Sequence, residues 1–195
     1  MKTAEDAGTR VMKNLTKCGT LAALMLLFAT TATAETLLTE QQALKIALPN
    51  AVSVESEMRP LSADQRDALQ KKTGLRFPET QVKCFVGKGK QGVEGYALIM
   101  NEIGKHEYIT FIVGVTPKFE VGDVAVMEYR ETRGWEVKEK RFLRQFHGKK
   151  VSDPIEVNRD IVNYTGATLS SHAIARGVKK ALALAEMFYG AAAGQ

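Results

Sequence analysis

Near its C-terminus the chain reads Thr165-Gly166-Ala167-Thr168-Leu169-Ser170-Ser171. Apolar side chains then recur at helical spacing from about Ser171 to Tyr189, which predicts a long helix that packs on a core. The first N–H groups of a helix have no acceptor within it and carry partial positive charge, so they attract anions. Gly166 lets a ligand approach the backbone closely, and Thr168 adds a hydroxyl. The stretch therefore predicts a phosphate site where the last helix begins.

The same residues also allow a purely structural interpretation. Ser170 or Ser171 would then cap the helix, Gly166 would form a turn, and Thr168 would lie in solvent. Hydroxyl side chains are common at helix starts, so residue chemistry alone favours this second interpretation.

The middle of the chain predicts a sheet. Runs rich in Val, Ile, Tyr and Phe are bounded by Gly, Asn or Pro, and short turns separate them. Successive hairpins favour antiparallel pairing. The four predicted strands cover 81–87, 93–101, 106–116 and 122–130. The fourth strand is apolar on both faces, so we expect both faces to be covered.

Two helical patterns precede this predicted sheet. Thr39 caps a helix that ends before Pro49. Ser62 and Gln65 form a capping box for a second helix, which stops at Gly74. The two helices have few apolar anchors, so we expect them to cover the sheet rather than form a bundle.

Two shorter elements complete the predicted fold. A basic stretch over 138–146 predicts a short helix with its phenylalanines facing inward, and 154–157 suggests an additional strand. The predicted fold class is α+β, a mainly antiparallel sheet with flanking helices and a long C-terminal helix after the phosphate loop.

The N-terminal end predicts an export signal. Lys13 and Lys17 precede an apolar run over 20–28, and Ala32-Thr33-Ala34 supplies small residues for cleavage. The run is short for a membrane span, which needs ~20 residues. A cleaved signal is therefore favoured, and an uncleaved membrane anchor is the alternative. Either form gives a periplasmic or exported protein.

We expect three parts in the chain. Residues 1–34 form the signal peptide, 35–79 an N-terminal helical segment, and 80–190 the functional domain. Without the signal, 23 basic and 20 acidic residues remain, a net charge of +3. This charge is too small to argue for nucleic-acid binding. Cys84 is the single cysteine of that part, so no internal disulfide forms, and its apolar strand predicts a buried, inert thiol.

The stretch 165–171 resembles the S/T-G-A-T-x-S/T motif of the FMN-binding domain family. Its members include the G subunit of Rnf-type electron-transport complexes and the C subunit of sodium-pumping NADH:quinone reductases. In the family the last threonine of S/T-G-A-T carries FMN through a phosphoester bond, and the resemblance places that role on Thr168. It implies that the cofactor also contacts the rest of the motif: Thr165, Gly166, Ala167, Leu169, Ser170 and Ser171.

A second segment, Glu128-Tyr129-Arg130-Glu131-Thr132-Arg133-Gly134-Trp135, lies at the end of the fourth predicted strand. It resembles the family's E-T-P-G sequence, which borders the flavin. The resemblance implies that four of these residues lie beside the flavin ring: Glu131, Thr132, Gly134 and Trp135. Trp135 has two interpretations, either a platform on which the ring stacks or a tryptophan of the core or rim.

The resemblance covers about residues 80–189 and includes the segment Phe142-Leu143-x-Gln145-Phe146-x-Gly148-Lys149, which is similar to small exported members. The chain departs from the family at two positions. Val162 stands six residues before Thr168, where the family commonly has Asp, and the nearest acid is Asp160. Arg133 stands where proline is frequent. The first departure bears directly on covalent attachment.

The resemblance implies an exported flavoprotein that carries covalent FMN and transfers electrons, rather than an enzyme that turns over a substrate of its own. A covalent bond would keep the cofactor with the protein outside the cytoplasm. The implied partners are a flavin transferase and redox proteins, such as cytochromes or membrane reductase subunits.

Two other interpretations remain open from the sequence. The chain could bind FMN without a covalent bond, as a small reductase. It could instead have lost the flavin and serve as an exported adaptor that binds another protein. Val162, in place of the motif Asp, supports this interpretation.

Overall fold

The computed structural model of the chain describes residues 35–190, which form a six-stranded antiparallel sheet flanked by helices. The strands lie side by side in the order β1-β6-β5-β4-β3-β2. Their bounds are β1 Glu35–Thr36, β2 Ser53–Pro60, β3 Gln81–Gly89, β4 Gly92–Ile103, β5 Tyr108–Val115 and β6 Val121–Tyr129. The predicted α+β class and antiparallel pairing are confirmed. The predicted export signal lies outside the described residues.

Four α-helices accompany the sheet among the described residues. They are α1 Glu40–Ala47, α2 Ala63–Thr73, α3 Lys140–Leu143 and α4 Thr168–Tyr189. Thr39 and Ser62 each complete a capping box, with Gln42 and Gln65 respectively, as side-chain oxygens and backbone N–H groups pair reciprocally. No described helix has the length and apolar character needed to cross a bilayer.

The predicted helix over 138–146 forms three short pieces. A 3-10 helix covers Trp135–Lys138, α3 follows, and a second 3-10 turn covers Arg144–Phe146. The extended backbone of Glu139 (φ −69°, ψ 138°) separates the first two pieces. The predicted inward-facing side chains at 142, 143 and 146 are all buried.

Two expectations about strands were incomplete or wrong. The segment 35–79 is not only helical, because it also contains β1 and β2. Most residues of β2 are exposed, since it lies at the edge of the sheet, and it therefore lacks the apolar pattern of a covered strand. The expected strand over 154–157 is absent from the described structure, where Val157 makes only an isolated bridge to Ile161.

The sheet has a core on each face. The larger core joins α4 and α2 to one face, and the smaller core joins α1 to the other. β6 contributes Val124 and Val126 to the first core and Ala125 and Met127 to the second, which confirms that both of its faces are covered. Cys84 is fully buried, and burial raises the pKa of its thiol to about 11, so the thiol is inert at neutral pH.

A buried ion pair fixes α4 on β4. Lys180 Nζ lies 2.6 Å from Glu102 Oε1, and both residues are less than a tenth exposed. Arg176 of α4 lies 3.4 Å from the other oxygen of the same carboxylate and also donates to Ile103 O at 3.0 Å. Breaking such a pair is costly because the remaining charge stays buried without its partner.

We expect Lys180→Met to lower the free energy of unfolding by about 3 kcal/mol, since Glu102 would lose its closest cation. The double variant Glu102→Met/Lys180→Met removes both charges and should recover most of this loss. Urea unfolding of both variants, followed by circular dichroism, measures the two differences. A double variant as unstable as the single one would show that packing, not charge, sets the cost.

Candidate functional site

The last helix begins three residues earlier than expected, at Thr168. Ala167 occupies the N-cap position and makes no side-chain cap hydrogen bond, so neither predicted serine caps the helix. The first helical hydrogen bond runs from Ser171 N–H to Ala167 O at 2.8 Å. The N–H groups of Thr168, Leu169 and Ser170 come before it and have no acceptor within the helix. They form the donor set that an anion needs.

The loop before the helix is open to solvent. Gly166 has a φ of +87°, which favours glycine, and a side chain there would meet nothing within 4 Å. Ala167 N–H donates to Tyr164 O at 2.9 Å and closes the turn. Thr165, Gly166 and Thr168 are exposed. A large ligand can therefore reach the helix start without displacing a side chain.

The Thr168 hydroxyl is held by a neighbouring amide. Asn163 Nδ2 donates to Thr168 Oγ1 at 2.9 Å. Asn163 Oδ1 is buried and has no hydrogen-bond partner among the described residues. Because the amide donates, the threonine keeps its own O–H proton for another acceptor. The sequence analysis did not identify Asn163 as a site residue, although a polar side chain five residues before the motif threonine was a local sign of such a contact.

Val162, which stands at the family's Asp position, is held through its backbone. Gln145 Oε1 accepts from Val162 N–H at 2.7 Å, and Gln145 Nε2 donates to Val162 O at 3.3 Å. The Val162 side chain is 69% exposed. Asp160 is occupied elsewhere, because its carboxylate accepts from Lys149 and from the backbone of Ile155. The polar side chain that contacts the Thr168 hydroxyl in this chain is therefore the neutral amide of Asn163.

The two serines of the motif point into the protein. Ser170 is 4% exposed, and its Oγ lies 3.1 Å from Tyr129 Oη. Ser171 is fully buried, and its Oγ has no hydrogen-bond partner among the described residues. The resemblance implies that both serines contact the cofactor, but neither hydroxyl is turned to the helix start: the Ser170 hydroxyl joins the motif to β6, and only the Ser170 backbone N–H remains at the helix start as a donor for a ligand.

The second predicted segment meets the motif at Gly134. Its φ is +82°, and a Cβ there would lie 3.0 Å from Ser170 Oγ, 3.0 Å from Tyr129 Oη and 3.2 Å from Ala167 Cα. Tyr129 also donates to Arg133 O at 2.6 Å. Burial raises the pKa of this phenol, so its O–H stays protonated as a donor. Sequence reasoning missed Tyr129, whose role depends on contacts across 41 residues of chain.

Glu131 serves the neighbouring hairpin. Its Oε1 accepts from the backbone N–H groups of Lys105, His106 and Glu107 at 2.5, 2.7 and 3.1 Å. Burial alone would raise the pKa of Glu131, but these three donors and His106 lower it below its ordinary value. The Glu131 carboxylate thus orders the turn between β4 and β5, and the structure does not show it directed at the motif.

Thr132 and Trp135 extend outward from this segment. Thr132 is exposed, and Trp135 is 54% exposed at the start of its 3-10 helix. Trp135 is therefore a rim residue and not a core tryptophan. Its free surface is available to a planar ligand.

A cavity of about 470 Å³ lies beside the motif. It is lined by Arg141, Gln145, Val162, Asn163, Tyr164 and Thr165. Arg141 brings a guanidinium group to this cavity, where a phosphate or a polar ligand tail would gain a charge-assisted donor. The sequence placed this arginine only in the basic stretch 138–146, without a role in the site.

The exposed loop with an αL glycine and the helix N-terminus that carries a hydroxyl together have the donors that suit a phosphate-containing ligand. Residues 104–183 match the model of the FMN-binding domain family. The chain therefore contains an FMN-binding domain, which supports flavin binding. The match includes both predicted site segments and most of α4. It confirms the family without singling out either electron-transport subunit. No curated protein matches the chain.

We expect Glu131→Gln to destabilise the protein more at neutral pH than in acid. The folded-state pKa of Glu131 is lowered, so its contribution is fully present above the ordinary value of 4.5 and is lost as the pH falls through the folded pKa. Urea unfolding at about pH 7 and about pH 3 measures the change. Glu107→Gln, at an exposed carboxylate of the same turn, is the control, and an equal pH profile for both variants would contradict the assignment.

Proposed function

We propose that the protein is an exported electron-transfer flavoprotein that carries FMN as a phosphoester on Thr168. The observation that carries the proposal is the exposed Thr168 hydroxyl, which Asn163 holds beside three N–H groups without helical acceptors. A phosphate bonded to Thr168 Oγ1 would lie at these donors, where the helix dipole also favours negative charge.

The surrounding residues fit the rest of the cofactor. Arg141 and the amides of Asn163 and Gln145 line the neighbouring cavity and suit the polar chain of FMN. Trp135 offers an exposed aromatic face to the flavin ring. When bound, the flavin supplies one- and two-electron chemistry, while the protein provides its position and surroundings.

Attachment requires a flavin transferase and a flavin dinucleotide donor. Thr168 Oγ1 would form a bond to the FMN phosphorus as the bond to the nucleoside monophosphate breaks, and the threonine proton would pass to a base of the transferase. Asn163 donates to the threonine oxygen, so it would direct the O–H proton away from itself and towards that base. No redox change accompanies this step.

Export and electron transfer make the covalent bond useful. A bond prevents loss of the cofactor in a compartment where dissociated FMN is not replaced. The proposed partners are the transferase and redox proteins such as cytochromes or membrane reductase subunits. Because Trp135 and the loop before the last helix are exposed, a flavin bound there would keep an edge accessible to such partners.

We expect Thr168→Val to abolish covalent flavin and leave the fold intact, because Val is similar in shape to Thr and the residue is exposed. Thr165→Val, in the same loop, is the matched control and should retain the cofactor. Each protein is produced for export with a flavin transferase, and its intact mass is measured. Flavin should add the mass of one FMN less one water, and absorbance should stay with the denatured chain.

Two outcomes would contradict this assignment. Covalent flavin on Thr168→Val would place the bond on another residue. Unmodified mass for the parent chain, with flavin released on denaturation, would instead favour non-covalent FMN binding. Non-covalent binding is supported by the exposed Val162 side chain, because among the described residues no carboxylate forms a hydrogen bond with the Thr168 hydroxyl. A colourless parent chain of unmodified mass would favour the adaptor interpretation.

Asn163→Ala should slow ester formation without preventing it. The loss of one hydrogen bond to the reacting oxygen costs about 1 kcal/mol, or roughly fivefold in rate. The time course of flavin incorporation with purified transferase measures this effect. Asn163→Asp reverses the hydrogen bond, because a carboxylate accepts where the amide donates. The rate of flavin incorporation should then depend on pH differently from that of the parent chain. If Asn163→Ala incorporates flavin at the parent rate, the amide has no positioning role.

A further inference from the structure

The two edges of the sheet differ in how they are protected. β2, at one edge, carries charged residues and ends in proline: Glu55, Glu57, Arg59 and Pro60. Such residues discourage the addition of another strand. β6, near the other edge, reads Val124-Ala125-Val126 in its centre, and all three residues are less than a tenth exposed.

β6 is covered at both ends but not in the middle. At its C-terminal end Glu128 and Tyr129 pair with β1, and the N–H groups of Leu37 and Leu38 donate to Met127 O at 2.8 and 3.2 Å. At the other end, Gly148 and Lys149 exchange backbone hydrogen bonds with Val121, both at 2.8 Å. Among the described residues, no strand pairs with positions 123–126 on this side. This recessed opening spans about 13 Å, the length of four extended residues.

A groove of about 560 Å³ lies over this opening, and we call it the β6 edge groove. Its apolar lining includes Leu37, Ile46 and Leu143. Two exposed cations, Lys140 and Arg144, line it together with the carboxylate of Asp123. The groove thus combines an unpaired strand edge with an apolar lining and the two cationic side chains of the neighbouring short helices.

We propose that the β6 edge groove binds an extended, acidic segment of a partner protein as an added strand. The backbone of β6 would hydrogen-bond the partner's backbone, as in other cases of strand addition. Alternate apolar side chains would contact Ile46 and Leu143, and the acidic side chains between them would face Lys140 and Arg144. The walls limit the added segment to a short strand, which prevents continuous edge-to-edge assembly.

The groove does not depend on the flavin for this interaction. None of its lining residues belongs to the motif 165–171. The Thr168→Val chain should therefore bind the same partner segment as the parent chain, so a failure of covalent attachment leaves the groove's role separately testable.

The test uses the purified full chain and a fluorescent peptide of alternating Glu and Val, about eight residues long, as the probe. The expected result is saturable binding by anisotropy and slowed amide exchange confined to β6 positions 123–126. A Lys–Val peptide should bind at least about tenfold more weakly, and salt should weaken the Glu–Val complex. A Glu–Val peptide with a central proline should also bind more weakly, because it lacks a backbone donor.

The matched variants reverse two exposed charges each. Lys140→Glu/Arg144→Glu should weaken Glu–Val binding by about tenfold or more. Lys71→Glu/Lys90→Glu, on α2 and in the β3–β4 turn, should leave it unchanged. The proposal is overturned if the Lys–Val peptide binds equally well, or if amide protection appears outside β6. It is also overturned if the parent chain does not bind the Glu–Val peptide. Binding of anionic phospholipid vesicles in place of the peptide, lost in the groove variant, would identify the groove as a membrane site, and dimerisation through the groove would identify a second copy of the chain as its occupant; either result overturns the proposal.

Discussion

The contact between the end of β6 and the start of α4 governs the geometry of the whole site. Tyr129 Oη is 3.1 Å from Ser170 Oγ and donates to Arg133 O, and Gly134 leaves just enough room for this arrangement. Without the contact, the N–H groups that precede Ser171 and the segment that carries Trp135 would not share one surface. A side chain at Gly134 would separate these elements, because its Cβ would lie at 3.0 Å from both hydroxyl oxygens.

The sequence could predict the parts of the fold whose signals are local. Capping boxes at Thr39 and Ser62 act over three residues, so their signals are local and both helices were found. Covered strands such as β6 show their burial in their composition. β2 was missed because its residues satisfy the sheet through backbone pairing with β3 and leave most of their side chains in solvent.

The site shows the same division between local and long-range information. The motif 165–171 predicted that a helix follows it from about Ser171, and the helix begins three residues earlier, at an exposed Thr168. It did not predict that Ser170 would bind Tyr129, that Glu131 would order a turn, or that Asn163 would hold Thr168. The first two contacts join residues that are far apart in sequence. The third contact, between Asn163 and Thr168, is local, but the family motif marks position 162 and not position 163.

The proposed groove and the candidate flavin site are adjacent parts of one surface. Lys138 lines the β6 edge groove, and its Nζ lies 5.5 Å from the centre of the Tyr129 ring. Trp135 and Lys138 are the first and last residues of one 3-10 helix. A partner strand seated along β6 would therefore end beside the flavin-binding surface. In the proposed electron-transfer role a partner's cofactor has to come close to the flavin, and docking at this edge would bring the partner to the candidate flavin site.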